Sequence, residues 1–105
     1  YYTMCQQKLL SGGYTVYTSI DTAKQQQLQD SVDNTLKGYT ALSDNGVYAM
    51  QAAATSIDNV TGNVVAIVGS RSQASISGYT LNRAYQSARQ PGSAIKPLMV
   101  YMPYL

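Results

Sequence analysis

The sequence of 105 residues contains no histidine, tryptophan, phenylalanine or glutamate, and every aromatic residue in it is tyrosine. Without histidine, Ser-His-Asp and Cys-His catalytic arrangements are excluded, as are most zinc sites. The single cysteine, Cys5, has no partner for an internal disulfide and sits among Gln and Lys with nothing to activate its thiol. Charge is sparse too. Seven basic residues give a net +2 and form no run that could track a phosphate backbone, so no nucleic-acid partner is expected. The longest aliphatic stretch, Val64 to Val68, falls far short of the about 20 residues that cross a bilayer. The chain opens on YYTMCQQ without a secretion signal, so any leader or anchor is expected upstream. No cofactor or metal is implied.

What is present alternates between helix and strand patterns. Residues 1–10 suit a short helix that Ser11-Gly12-Gly13 breaks. Tyr14 to Ile20, rich in β-branched and aromatic residues, predicts a strand. Asp21 is a good N-cap for a helix through about Lys37, with Leu28, Val32 and Leu36 as a narrow apolar stripe opposite the glutamines and Gly38 as its stop. Thr40 to Met50 is loop-like, with a turn at Ser43-Asp44-Asn45-Gly46. Gln51 to Ile57 and Asn63 to Gly69 read as two strands of a hairpin turning at Asp58 to Gly62. The continuous VVAIV run predicts cover on both faces of the second strand. Ser70 to Gly78 is small and polar, a loop, and a helical or irregular stretch follows around Asn82-Arg83-Ala84. The final PLMVYMPYL is apolar and wants burial, with too little partner surface before it. The order predicts an α+β domain with one antiparallel sheet, present only as a fragment.

Chemistry concentrates in RQPGSAIKP, Arg89 to Pro97. A serine hydroxyl is a poor nucleophile until a base takes its proton, and without histidine that base must be lysine, tyrosine or a carboxylate. Lys96 lies three residues after Ser93, a spacing that puts both on one helical face. A lysine held neutral by burial or neighbouring cations can act as general base. The Ser93 N–H at a helix start could donate to an acyl oxyanion, and Gly92 would leave room for a substrate carbonyl. Spacing alone is weak, because a chain of this length has about a 40% chance of an accidental S-x-x-K. Ser93 as a helix cap and Lys96 as a solvated cation is the bland alternative. Pro97 should push Lys96 away from helical angles and remove the N–H that would bond the Ser93 carbonyl, predicting a tightened, 3₁₀-like turn. Pro103 should end or kink the helix after about Met102.

The flanks carry more. L-N-R-A-x-x-x-x-R-Q-P-G-S-x-x-K-P, from Leu81 to Pro97, closely resembles the active-site approach of class A penicillin-binding proteins, whose S-x-x-K motif is shared with serine β-lactamases. GGYTVYTSID resembles the opening strand of their transpeptidase domain, and QAAATSIDNVTGNVVAIVGSR resembles its first hairpin, with Ser70 replacing the second glycine of the family pattern. The resemblance covers nearly the whole chain in order. It implies a penicillin-binding/serine β-lactamase-like transpeptidase fold, with residues 1–13 a linker and 14–105 the N-terminal portion of the transpeptidase domain.

By that resemblance Ser93 is the nucleophile and Lys96 its base. The expected partners are a peptidoglycan stem peptide ending in D-Ala-D-Ala, β-lactam antibiotics, and the remaining C-terminal part of the domain. The expected place is the extracytoplasmic face of the bacterial membrane, anchored by an upstream segment. The family's S-x-N and K-T-G motifs are expected downstream. Ser43-Asp44-Asn45 precedes the serine and reads as a turn, Val60-Thr61-Gly62 is hairpin chemistry, and Asn59-Val60-Thr61 is a turn rather than a glycosylation site. Without those motifs these residues alone are expected to be inactive. A β-lactamase or β-lactam sensor, and a non-catalytic wall-binding module, are the competing readings.

Overall fold

The computed structural model describes residues 1–74, 76 and 80–104. Ser75, Ser77, Gly78, Tyr79 and Leu105 lie outside the described residues, so the loop expected from Ser70 to Gly78 is followed only to residue 74 and at residue 76. Helix α1 spans Tyr2–Ser11 and α2 spans Thr22–Thr35. Strands β1, Ala54–Ile57, and β2, Val64–Val68, form a two-stranded antiparallel sheet, and a short helical turn, α3, covers Arg83–Gln86. The architecture is α+β, as the sequence predicts. No helix of the described residues is long and apolar enough to cross a membrane.

The hairpin follows from its turn. Asp58 accepts from the Val60 N–H at 3.1 Å and from the Thr61 hydroxyl at 2.7 Å, and Gly62 supplies the left-handed residue with φ +73°. Those two bonds, the Thr61 hydroxyl foremost, hold the Asp58 carboxyl below its usual value of 3.8. Pairing runs from Ala54↔Val68 to Ile57↔Val64, with a bulge between Ser56 and Ile57. Ala66 and Val68, two residues apart on one face of β2, are the fully buried apolar pair. Burying one such valine stabilises by about 1.5–3 kcal/mol. The opposite face of β2, carrying Val65 and Ile67, is only half-buried. The expectation of cover on both faces therefore holds for one.

Helix α2 starts where Asp21 predicts, its carboxylate accepting from the N–H groups of Ala23 and Lys24 at 2.9 and 3.1 Å. Its packing differs from the expected apolar stripe opposite the glutamines. Gln25, Leu28, Gln29, Val32, Asp33 and Leu36 are together the half-buried face. The Gln25 amide donates to Ile67 O and accepts from Ile67 N, each at 2.9 Å, as a neighbouring strand would. The series continues in both directions along β2. Asp21 N–H bonds Val65 O, the Ser19 hydroxyl bonds Val64 O, the Gln29 amide bonds Ser70 O, and Asp33 accepts from Ser72 N. One edge of β2 is thus closed by side chains of α2 and its entry, which satisfies backbone groups that would otherwise stand open.

That closure explains why Tyr14 to Ile20 forms no strand despite its composition. The ladder it would need on β2 is already occupied, and only Ser19 reaches the sheet. Strand propensity is expressed only where a partner edge exists. At β1's outer edge, among the described residues, no hydrogen bond from another element arrives.

Candidate active site

Two features carry the chain from the sheet to Ser93. Gly69, just after β2, meets the start of α3, where a Cβ would lie 2.7 Å from Asn82 Cα. Glycine is required there by close approach, and Arg83 N–H bonds Gly69 O at 3.1 Å across the contact. Asn82 then caps α3. Its side-chain oxygen accepts from Ala84 N at 3.0 Å, while Gln86 reaches back to accept from Asn82 N at 2.7 Å. This reciprocal arrangement resembles a capping box and fixes the turn leading to Arg89.

After Pro91 the chain enters a 3₁₀ turn over Gly92–Ile95, the tightened opening that Pro97 predicts. Gly92 has φ +53°, and a Cβ there would meet nothing within 4 Å. Backbone angle, rather than the space invoked from sequence, is what requires glycine at this position. Lys96 N–H donates to Ser93 O, so the acceptor that proline cannot serve is served one residue earlier.

Lys96 itself corrects an expectation. Its φ of −54° and ψ of −40° are helical, although a proline follows. The chain accommodates this by widening into a π turn over Pro97–Tyr101, where Pro97 occupies a first-turn position that needs no N–H. Met102 N–H bonds Pro97 O, and a 3₁₀ turn over Met102–Tyr104 contains Pro103, so the helix changes at Met102 as expected.

In a 3₁₀ turn residues i and i+3 are eclipsed, which places Ser93 and Lys96 on one face. Both are exposed, and no hydrogen bond links Ser93 Oγ to Lys96 Nζ. Ser93 is not a helix cap. The capping position belongs to Pro91, and among the described residues neither the hydroxyl nor the backbone N–H of Ser93 has a partner. The cap role expected in the bland alternative is therefore not the serine's, while the Lys96 side chain, exposed and without a partner among the described residues, matches the solvated cation of that alternative. An unengaged hydroxyl, an unengaged N–H and a lysine on the same face are what acyl transfer would use. The apolar residues beyond them are exposed where the sequence called for burial, Leu98 at 60% and Met99 at 69%.

Arg71, inside the stretch that reads as a polar loop, is a structural residue that sequence reasoning passed over. It is buried, its Nη1 donates to Tyr39 O at 2.7 Å, and its guanidinium lies 3.9 Å from the Tyr48 ring centroid. The available signal was a lone arginine three residues after the apolar VVAIV strand.

Comparison with known proteins identifies the family of the chain. A family described as penicillin binding protein transpeptidase domain matches residues 52–104, just over half of the chain, including Ser93 and Lys96. Penicillin-binding protein 1A of Clostridium acetobutylicum is 41% identical over 97 residues, covering 90% of this chain and 12% of that protein. Penicillin-binding protein 1A of Clostridium perfringens strain 13 is 40% identical over 102 residues, covering 90% of this chain and 15% of its own length. Penicillin-binding protein 2a of Streptococcus pneumoniae D39 is 33% identical over 103 residues, covering 97% and 14%. The chain thus spans 12% to 15% of the length of these relatives. No solved structure gives a significant match.

Proposed function

The chain belongs to the penicillin-binding protein transpeptidase domain family, and on that premise we propose that it contributes the nucleophile and base of a serine D-Ala-D-Ala transpeptidase. Residues 14–105 are the N-terminal portion of that catalytic domain and 1–13 the linker into it. Ser93 Oγ attacks the carbonyl between the two terminal D-alanines of a peptidoglycan stem peptide. Lys96, as general base, takes the hydroxyl proton as the new C–O bond forms. The oxyanion is held in part by Ser93 N–H, and the proton passes to the departing D-alanine amine. An amine of a second stem peptide then attacks the acyl-serine, which forms the cross-link and restores the hydroxyl. A β-lactam follows the first half of this path and remains on Ser93. The reaction belongs on the outer face of the bacterial membrane, where stem peptides are exposed.

The observation that carries this reading is the 3₁₀ turn that stacks Ser93 and Lys96 on one face within the family-matched residues while leaving the serine's hydroxyl and N–H unengaged. Labelled penicillin tests it. The full-length protein is expected to be covalently labelled, and Ser93→Ala is expected to reduce labelling to background while thermal stability is unchanged. Equal labelling of the variant would exclude Ser93 as nucleophile, and rapid hydrolysis of the drug would favour a β-lactamase.

A further inference from the structure

We propose that the cavity between the Asn45–Gln51 loop, α2 and α3 is a binding site for an oxyanion, a carboxylate or a phosphate, separate from Ser93. The cavity measures about 420 Å³, and Gln29, Asn45, Gln51, Arg71 and Arg83 line it. Its described lining contains no Asp, and it includes no residue from Gly92 onward.

Arg71 carries an uncompensated charge. Arg71 is 9% exposed, and no carboxylate pairs with it among the described residues. Its Nη1 is held by Tyr39 O at 2.7 Å and Met50 O at 3.4 Å, and its face is covered by the Tyr48 ring. Its Nε is buried without a partner. Carbonyls and a ring face solvate a guanidinium in part, but a buried charge is stable only when paired.

A second cation points to the same place. Arg83 is half-buried, and its side chain makes no hydrogen bond or ion pair among the described residues. Its backbone is fixed, since Asn82 caps α3 beside it and its own N–H is bonded to Gly69 O. Arg83 also lines the adjoining groove, together with Arg89.

The acid on the α2 side is already engaged. Asp33 accepts from Ser72 N through one oxygen and from the Gln29 amide through the other. Two guanidinium charges with no Asp in the described lining suit a planar or tetrahedral oxyanion, which accepts from the unengaged N–H donors of Arg83 and is attracted by the charge of Arg71. The amide of Gln51 is not a competing acceptor, because its oxygen is taken by Arg71 N.

The experiment titrates the full-length protein with inorganic phosphate and, separately, with succinate, following the melting temperature and the heat of binding. Ionic strength is matched with chloride throughout, so that screening is constant. The site predicts a saturable shift with at least one of the two anions. Arg83→Gln is expected to weaken its apparent affinity about tenfold, the loss of one charge-assisted contact. A response to phosphate alone identifies an inorganic or phosphoryl ligand, and a stronger response to succinate identifies an organic carboxylate. Absence of a saturable shift with both, or an equal shift in Arg83→Gln, overturns the proposal. Arg71→Lys adds a check, since it keeps the charge and loses the planar fork; should it fail to fold, the Arg83 result decides alone. Penicillin labelling of Arg83→Gln is read in parallel, so failure here is distinguishable from failure of the Ser93 assignment.

Discussion

Around α2 and the hairpin, polar side chains are assigned to backbone groups one by one, and the two fully buried apolar residues lie beneath them. From Gly92 to Tyr104 the opposite holds. The helical turns contact mainly one another, their apolar side chains are exposed, and the serine's hydroxyl and N–H are unengaged among the described residues. The first region is a scaffold whose bonding is satisfied internally. The second is held only by its backbone turn, with its chemistry left available. Reactivity needs groups that the fold has not already used, and at Ser93 the chain leaves such groups outside the bonding of α2 and the hairpin.

Removing Lys96 tests the available half most severely. Lys96→Met should lower the penicillin acylation rate of the full-length protein by about 10²- to 10⁴-fold, if Lys96 is the general base proposed above. Its melting temperature should not change, because the side chain makes no bond to the scaffold. Stopped-flow acylation beside thermal melts reads both. A large stability loss would show that the two regions are not separate in the way described.

The scaffold half predicts the reverse behaviour. Gln25→Ala leaves both Ile67 N–H and Ile67 O without their amide partner, at a cost of about 1–2 kcal/mol and some loss of β2 edge protection. Chemical denaturation should show the lower stability, with acylation per folded molecule unaltered. An unchanged denaturation midpoint would mean that water replaces the amide at no cost.

The smallest effect belongs to the hairpin turn. Asp58 has a depressed folded-state pKa, so its contribution is present above the unfolded value of 3.8 and lost as pH falls through the lower folded value. Melting temperature measured from pH 2 to 6 should fall more steeply on the acid side for wild type than for Asp58→Asn. Parallel curves would remove the carboxylate from the turn's stability.

Much of this organisation is written locally. Asp21 and the Asp58–Gly62 turn act on backbone groups within a few residues, so these roles follow from residue type and spacing. Pro97 likewise forecasts the 3₁₀ turn at Ser93, and the Ser93–Lys96 pair is visible from spacing and flanks. What was not legible depends on neighbours distant in sequence. Gln25 and Gln29 read as solvent-facing, though their i+4 series with Asp21 and Asp33 was the available sign of a polar contact line. Tyr14 to Ile20 carries strand propensity that no local rule shows to lack a partner. The helical angles of Lys96 overrode a preference set by the following proline, because the next turn could widen. Arg71 sits in a stretch of small polar residues, and its burial arises from the remote Tyr39–Gln51 loop.

The amide ladder gives the sheet a direction. With one flank of β2 sealed by Gln25 and its companions, a further strand, native or foreign, can join only alongside Ala54–Ile57. The hairpin is therefore a seed that grows one way, and a peptide designed to pair with this chain should be aimed at that flank alone.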